Sequence, residues 1–428
     1  MTAITPQTPK TSQKGLWAWA FFDFGNSGFT TVVSTFVFSA YFTQAIAPDP
    51  TTGTSLWGLA TGIAGVIIAL TSPISGAIAD HTGRRKPWLA FFTLMCVVAT
   101  AALWFAKPGT DSIPLALTLV VFGTVGFEVG LVFYNTMLPS LTTPDRLGRV
   151  SGLAWGLGYA GGLICLVLAL VGFIQADPAP FNLDTNDAEH VRATLLLTAV
   201  WIALFTWPLF AFTPDTPSTQ VPLTAAIKQG ISTLIATLRN VKQNANSFRF
   251  LIARMVYIDG VNTMFAFGGI YAAGTFGMTL EDIIIFGIAL NVTAGLGAAV
   301  FGWVDDRYGS KLTLTISLSA LTLSAIGVLI AQTVPQFWIA ALIMSTFFGP
   351  VQAASRTFMA RLAPPAMRGE MFGLYAVSGK VTSFVGPFAV GGVTALAGSQ
   401  RIGMATILVF LIVGLILLQT VKEPKQTV

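Results

Sequence analysis

Long apolar runs constrain this chain more than any other feature of its sequence. A helix needs about 20 mainly apolar residues to cross the hydrocarbon core of a bilayer. We predict twelve such transmembrane spans, numbered in chain order, at residues 16–46, 56–79, 87–106, 113–139, 150–174, 191–212, 247–272, 280–303, 312–332, 336–361, 371–397 and 402–421. Charged residues make up only 10% of the 428, too few to cover the surface of a water-soluble protein of this length. The sequence therefore predicts an all-α polytopic membrane protein.

Lysine and arginine are concentrated on one predicted side of the membrane. Of the 23 Lys and Arg residues, 18 fall in the tails or in connections on that side, when Arg249 and Arg254 are counted with the central connection. Because basic residues favour cytoplasmic loops, both termini are predicted to be cytoplasmic, in the cytoplasmic (inner) membrane of a bacterium. This topology also explains the net charge of +5, so no nucleic-acid partner is expected.

The longest connection divides the chain into two groups of six spans. The predicted order is a cytoplasmic tail (1–15), a first six-helix bundle (16–212), a cytoplasmic linker (213–246), a second six-helix bundle (247–421) and a second cytoplasmic tail (422–428). The linker contains TAAIKQGISTLIATLRNVKQ, in which apolar residues recur at helical spacing between basic ends. This pattern predicts an amphipathic helix on the cytoplasmic membrane surface, with an ordinary linker helix as the alternative.

The two groups of spans repeat the same polar motifs. A Gly-x-x-x-Asp-x-x-Gly pattern followed by cations stands after spans 2 and 8, as Gly76, Asp80, Gly83, Arg84, Arg85 and Lys86 in the first copy and as Gly302, Asp306, Gly309 and Lys311 in the second. Segments 144–153 and 365–374, which lead into spans 5 and 11, also match. Asp23 and Asn26 of span 1 correspond to Asp259 and Asn262 of span 7. Such a repeat predicts two similar bundles in parallel orientation.

These motifs resemble the major facilitator superfamily, whose most specific signature is the Gly-x-x-x-Asp-x-x-Gly-Arg-Arg-Lys loop. The resemblance covers essentially the whole chain. Within the superfamily, WAFFDFGNSGF (residues 19–29) resembles the first-helix pattern of the vacuole-effluxer-like family, although Phe22 and Gly25 replace the usual Tyr and Ala. The resemblance implies the major facilitator fold, with twelve transmembrane helices in two pseudo-symmetric six-helix bundles. It also implies that Asp80 meets the start of span 11 and Asp306 meets span 5, which would latch the cytoplasmic side shut.

Five charged residues lie deep within the predicted spans, where each costs about 2.5–3.5 kcal/mol on insertion scales and tends to face a cavity or a partner. They are Asp23, Glu128, Asp259, Arg356 and Lys380. Polar residues lie on or beside the same helix faces, namely Asn26, Tyr134, Asn135, Asn262 and Gln352. We predict that these ten residues line a cavity that binds substrate or protons.

Each of these charges also has a structural alternative. Asp23 and Asp259 either bind a ligand or a proton or brace helices through hydrogen bonds. Glu128 is the deepest acid and the first candidate for proton or substrate binding. Lys380 is the first candidate for an anionic group of the substrate, and its alternative is a salt bridge to Asp23 or Glu128. Arg356 lies nearer the cytoplasm and is equally a candidate gate residue. The basic residues after Gly83 also satisfy the positive-inside rule.

The predicted function is secondary active transport of a small polar metabolite by alternating access. Family resemblance favours an amino acid or a related compound, and protons are a candidate coupling ion. The alternatives are a transporter of a sugar or an organic anion, and a non-transporting membrane receptor. No His lies in any predicted span, and no HExxH, GxSxG or P-loop motif occurs, so neither an enzyme nor an ATP-driven pump is expected. We expect a monomer with a small-molecule substrate and the lipid bilayer as partners, and no catalytic group, cofactor or metal site.

Overall fold

The computed structural model describes residues 12–219, 221–239, 244–278 and 280–423. Within them, eleven helices are long and apolar enough to cross a membrane, and a twelfth transmembrane element is divided into two shorter helices. The eleven are α1 (Gln13–Ile46, with π-helical segments at Phe29–Phe36 and Phe42–Ile46), α2 (Pro50–Thr82), α3 (Lys86–Phe105), α4 (Ile113–Leu141), α5 (Leu147–Ala169, continued by wider π-helical turns at Leu170–Ile174), α6 (Glu189–Phe212), α7 (Ala245–Phe276), α8 (Leu280–Tyr308), α9 (Ser310–Ile330), α10 (Val334–Leu362, with a turn at Phe347) and α12 (Gln400–Gln419). The predicted fold class is confirmed.

The divided element is α11, where the prediction of one uninterrupted span at 371–397 was wrong. The structure has α11a (Arg368–Ser378) and α11b (Val385–Ala397), joined by turns at residues 379–384. Two helix-breaking residues flank this break. Gly379 directly follows α11a, and Pro387 would place its ring against the carbonyl of Ser383 in a continuous helix. Hydropathy alone predicts a continuous span here, because it does not take account of helix-breaking residues.

Each half of the chain has its own apolar core. In the first half, Trp19, Phe133 and Leu138 are fully buried between α1 and α4. In the second half, Phe250 and Phe358 pack edge to face between α7 and α10, with ring centroids 4.9 Å apart. Close packing of such side chains stabilises each half through van der Waals contact between its helices. Val132 of α4 and Tyr159 of α5 also pack against the core of the second half.

The two halves are in close contact at one end of the bundle, which we call the basic face because Arg84, Arg146 and Arg307 are exposed there. At this end glycines bring backbones together: a side chain added at Gly76 of α2 would overlap the backbone of α11a, 2.5 Å from a carbonyl carbon. At the opposite end, a side chain added at Gly62 of α2 would have nothing within 4 Å. The halves are thus in tight contact at the basic face, whereas Gly62 of α2 has no neighbour from the second half within 4 Å.

The linker contains a helix at Leu223–Arg239, called the linker helix below. Its buried residues include Ala226 and Leu234, and a side chain added at Gly230 would lie 2.9 Å from the backbone nitrogen of Ile78 in α2. Part of its apolar surface therefore packs against protein, while Ile231 and neighbouring isoleucines stay exposed. Its predicted position on a membrane surface remains a prediction. Most of the predicted tails, residues 1–11 and 424–428, lie outside the described residues.

Candidate functional site

Arg356 of α10 and Asp23 of α1 form an ion pair between the two halves. Arg356 Nη1 lies 3.0 Å from Asp23 Oδ2, and the two side chains are only 3% and 12% exposed. Ser151 of α5 accepts two further hydrogen bonds from the same guanidinium, from Nε to its Oγ at 2.9 Å and from Nη2 to its carbonyl at 2.7 Å. Asn135 of α4 lies 3.4 Å from Nη1. All of these polar contacts join the second half of the chain to the first.

Aromatic rings surround this buried guanidinium. Its central carbon lies 5.3 Å from the ring of Trp19 and 5.6 Å from the rings of Tyr134 and Trp155, which is within cation–π range. Trp19 and Tyr134 stack with ring centroids 4.4 Å apart, and the indole N–H of Trp19 donates to the carbonyl of Tyr134 at 3.1 Å. Tyr134, predicted to line a cavity, therefore forms part of the wall around Arg356.

A second ion pair between the halves joins Glu128 of α4 to Lys380, which lies in the break of α11. The ammonium nitrogen of Lys380 is 2.7 Å from Glu128 Oε1, and the side chains are 34% and 17% exposed. Glu128 precedes Asn135 by seven residues on α4, so this pair lies about 10 Å farther from the basic face than the Arg356 cluster. Of the partners predicted for Lys380, the structure has Glu128 and not Asp23.

The two acids that correspond in the internal repeat have different surroundings. Asp23 meets an arginine, whereas Asp259 of α7 accepts a hydrogen bond from the backbone N–H of Gly386 in α11b at 3.2 Å. Their companions also differ, since Asn26 is buried and Asn262 is exposed. The structure therefore does not bring Asp259 and Asn262 into either of the two ion-pair clusters.

Several residues of the site were missed by the sequence analysis. Ser151 binds Arg356 through both its side chain and its backbone, and the hydroxyl of Tyr159 accepts a hydrogen bond from Gln352 at 2.9 Å. Arg254 was counted with the central connection, but it is a buried residue of α7 that contacts α11a. Its position inside predicted span 7 indicated a membrane location. It was counted with the central connection instead, because basic residues near span ends were assigned to the cytoplasmic side.

The first copy of the repeated loop motif holds α2 against α11a. Asp80 Oδ1 accepts the backbone N–H of Gly369 at 2.9 Å, and Oδ2 accepts that of Glu370 at 3.0 Å. A carboxylate at a helix N-terminus both satisfies free N–H groups and interacts favourably with the helix dipole. Gly76 lies against the same turn, where an added side chain would be 3.1 Å from the Glu370 nitrogen.

The second copy makes the corresponding contact between α8 and α5. Asp306 accepts the backbone N–H groups of Gly148 at 2.6 Å and Arg149 at 3.0 Å, and Arg149 Nε donates to it at 2.7 Å. Gly302 packs against Gly148, and a side chain added there would lie 2.7 Å from the Gly148 carbonyl oxygen. Beside it, Asp305 is buried and pairs with Arg361 of α10.

The remaining motif residues stabilise the loops at the basic face. Gly83 (φ 80°) and Gly309 (φ 92°) have left-handed backbone conformations that favour glycine. Asp215 accepts the backbone N–H groups of Arg85 and Lys86 at 3.0 and 3.3 Å. Burial lowers the pKa of Arg85, and the charges of Asp80 and Asp215 oppose that shift. The ammonium of Lys311 donates to the carbonyl of Gln419 at 2.9 Å, and Arg84 is exposed.

A separate apolar cavity of about 140 Å³ lies between α1 and the helices of the second half. Phe36, Phe265, Phe286 and Met404 are among the residues that line it. None of the four residues of the two ion pairs borders this cavity. The polar chemistry of the site is therefore concentrated at the ion pairs, outside this apolar space.

Twelve transmembrane helices in two halves, closed at one face through a duplicated Gly–Asp motif, define a transporter of the major facilitator superfamily. The superfamily's sequence model matches residues 8–166. The fold is similar to that of FucP, a major facilitator superfamily transporter in the outward conformation, at a TM-score of 0.74 and 15% identity over 96% of this chain and 99% of that one. It is also similar to the human organic anion transporter MFSD10, at a TM-score of 0.73 and 13% identity over 97% and 100%.

Within that superfamily, the chain belongs to the family described as vacuole effluxer Atg22 like, whose model matches residues 144–428. An uncharacterized MFS-type transporter of Bacillus subtilis (strain 168), YxiO, is 27% identical over 96% of this chain and 95% of its own length. Autophagy-related protein 22 of Cryptococcus neoformans (strain B-3501A) is 27% identical over 64% of this chain and 52% of its own length. The chain thus spans about half of that fungal relative.

Proposed function

We propose that this protein is a secondary transporter that moves a small polar solute by alternating access, with the Glu128–Lys380 pair as its solute site. The observation that carries the proposal is the contrast between the two ion pairs. Glu128 and Lys380 are partly exposed at 17% and 34%, whereas Asp23 and Arg356 are buried. A solute that enters from the opposite face reaches the exposed pair first, because that pair lies farther from the closed basic face.

The chemistry of the exposed pair indicates what it would bind. Lys380 offers up to three N–H donors for a carboxylate or another anionic group, and Glu128 accepts hydrogen bonds from an ammonium or a hydroxyl. A solute with both kinds of group can replace each partner of the pair without leaving a charge unpaired. An amino acid has both groups, and membership of the vacuole effluxer Atg22 like family also supports this class. Sugars and organic anions would satisfy only part of the pair.

We propose that Glu128 also carries the coupling proton. When Glu128 and Lys380 separate and no solute ammonium takes the place of Lys380, proton uptake by Glu128 would avoid an unpaired charge at membrane depth. Glu128→Gln should then remove the pH dependence of transport while solute exchange continues. Unchanged pH dependence in this variant would reject the role of Glu128.

Counterflow in proteoliposomes tests the transport proposal. The purified protein is reconstituted with one unlabelled candidate solute inside, and uptake of its labelled form is measured across a metabolite library. Lys380→Gln should abolish counterflow of the active solute, whereas Lys107→Gln, which removes an exposed ion pair with Asp187, should retain it. Saturable binding without counterflow, in protein that reconstitutes correctly, would favour a receptor instead.

We further propose that the basic face is cytoplasmic, in the cytoplasmic membrane of a bacterium. The exposed arginines on this face support the proposal through the positive-inside rule. A reporter that fluoresces only in the cytoplasm, fused to the carboxyl terminus, should be active. Alkaline phosphatase is active only outside the cytoplasm. Fused to the carboxyl terminus it should be inactive, and inserted in the 107–112 loop it should be active. The reverse pattern would overturn the orientation.

A further inference from the structure

The break in α11 creates two helix ends inside a membrane-spanning element. A helix end leaves backbone carbonyls or N–H groups without partners in the helix. In a bilayer such groups must find partners within the protein. Most of the break, residues 379–384, is only partly buried or exposed, and Lys380 lies in it. Something must therefore stabilise the two ends for Lys380 to keep a defined position.

The carboxyl end of α11a is held by Arg254 of α7. Arg254 Nη1 donates to the carbonyl of Tyr375 and to the hydroxyl of Ser378, both at 2.7 Å. The guanidinium also stacks over the Tyr375 ring, 3.5 Å from its centroid. Arg254 makes no ion pair with an acidic side chain among the described residues. A buried cation that binds a helix C-terminus interacts favourably with the negative end of the helix dipole.

The amino end of α11b is held by Asp259, which lies five residues after Arg254 on α7. Asp259 Oδ2 accepts the N–H of Gly386, the second residue of α11b, at 3.2 Å. This N–H is among those that a helix N-terminus leaves unpaired, and an anion there interacts favourably with the positive end of the dipole. Between these two residues, the carbonyl of Met255 accepts a weak hydrogen bond from the Thr382 hydroxyl at 3.4 Å.

We propose that Arg254 and Asp259 form a clamp on α7 that holds the two ends of broken α11 and thereby directs Lys380 towards Glu128. Each clamp residue has the charge that its helix end requires. Both are positioning residues, because neither touches Glu128 or Lys380 among the described contacts. The value of the clamp for transport rests on the function proposed above, but its effect on α11 does not.

Glycines allow the clamp to approach closely. A side chain added at Gly379 would lie 3.0 and 3.2 Å from the two terminal nitrogens of Arg254, so alanine there would displace the guanidinium. A side chain added at Gly386 would lie 3.1 Å from Asp259 Oδ1. The break sequence therefore provides space for both clamp residues.

Hydrogen–deuterium exchange of the intact protein in detergent micelles tests the clamp. The reporter is the peptide over residues 379–388, and the reference is the peptide over 368–372 at the closed basic face. Asp259→Ala should speed exchange of the reporter about tenfold or more, because it removes a hydrogen bond to a charged group. Asp259→Asn keeps an acceptor and should give a smaller increase. The control Lys107→Gln removes only an exposed ion pair with Asp187 and should leave both the reporter and the reference unchanged.

Two further variants protect the test against misfolding. Gly379→Ala and Arg254→Gln act on the other end of the break, and each should speed exchange of the reporter without altering the reference peptide. If Asp259→Ala does not fold, these variants and Asp259→Asn still test whether the clamp holds the ends of α11. Unchanged reporter exchange in all of them, or an equal increase in the reference peptide, would overturn the clamp.

A transport measurement separates the clamp from the proposed function. With an active solute in hand, Arg254→Gln should raise KM for counterflow more than it lowers kcat, because Lys380 is misplaced but still present. An exchange result as expected, together with no transport of any solute by the unaltered protein, would leave the clamp standing and remove the proposed function. Transport by the unaltered protein, together with unchanged exchange in the variants, would remove the clamp and leave the proposed function standing.

Discussion

Neutralising Asp23 should open the basic face, because it leaves Arg356 buried without its counter-ion. In Asp23→Asn the guanidinium keeps its two hydrogen bonds to Ser151 at 2.9 and 2.7 Å but loses the carboxylate at 3.0 Å. Breaking one side of a buried ion pair costs about 3–5 kcal/mol. We take the lower end, about 3 kcal/mol, because the Ser151 bonds remain. Since 1.4 kcal/mol corresponds to a factor of ten, the ratio of closed to open protein should fall about 100-fold.

Double electron–electron resonance between spin labels at positions 146 and 307 measures this ratio. Arg146 and Arg307 are exposed at the basic face and belong to different halves, so labels there should disturb neither ion pair. The native cysteines, Cys96 and Cys165, are buried and should not take up label. The unaltered protein should give one short distance, and Asp23→Asn should add a longer one.

The double variant Asp23→Asn with Arg356→Gln provides the decisive control. Replacing both members removes the unpaired buried charge that either single variant leaves behind. The double variant should therefore recover much of the closed population that either single variant loses. A double-mutant cycle then isolates the coupling between the two residues. The reasoning would be refuted if the two single variants lost closed population additively in the double variant. It would also be refuted if Asp23→Asn showed only the short distance of the unaltered protein.

Three further predictions follow from contacts at the two faces. Gly76→Ala should favour the open basic face by about 1–3 kcal/mol, measured with the same spin labels, because its new methyl group meets backbone atoms of α11a. The control Gly62→Ala should leave the distances unchanged, since nothing lies within 4 Å there. Asp80→Ala removes two backbone hydrogen bonds at 2.9 and 3.0 Å and should open the same face by about 2 kcal/mol or more. Lys107→Gln should change the free energy of unfolding by less than about 0.5 kcal/mol in thermal or denaturant unfolding, because its ion pair with Asp187 is exposed.

The repeated Gly–Asp motif was predictable because its physical meaning is local. At a helix end, the glycine lets a second helix approach closely. The carboxylate four residues later can then accept hydrogen bonds from the free N–H groups of that helix. The resemblance to the major facilitator superfamily indicates which helix that is in each half. The structure has Asp80 at the start of α11a and Asp306 at the start of α5. The resemblance supplied the partners, and short-range geometry explains why these contacts are favourable.

The pairing of the intramembrane charges was less predictable. From the sequence, Lys380 could meet either Asp23 or Glu128, because all three lie on helices that are predicted to surround one cavity. The choice depends on the relative rotation of the two halves, which side-chain periodicity does not report. The structure pairs Lys380 with Glu128 and leaves Asp23 to Arg356. Only tertiary packing distinguishes these arrangements.

The break in α11 had a sequence signal of another kind. Hydropathy treats residues 371–397 as one apolar stretch, but Gly379 and Pro387 oppose a continuous helix there. The signal for Arg254 was weaker, since a basic residue at the eighth position of a predicted span, near its cytoplasmic end, is also compatible with a cytoplasmic loop. Its role becomes visible only when the carboxyl end of α11a is seen beside it.

The two ion pairs should control different properties of the transporter. Opening the basic face separates the halves where Asp23 meets Arg356, and these buried charges must then be hydrated again. Glu128 and Lys380 are already partly hydrated, so a solute can displace them at little cost. We therefore expect Lys380→Gln to weaken solute affinity while the spin-label distances at the basic face stay the same. Asp23→Asn should shift those distances and leave solute affinity of the closed state nearly unchanged. Equal effects of both variants on the distances would contradict this division of roles.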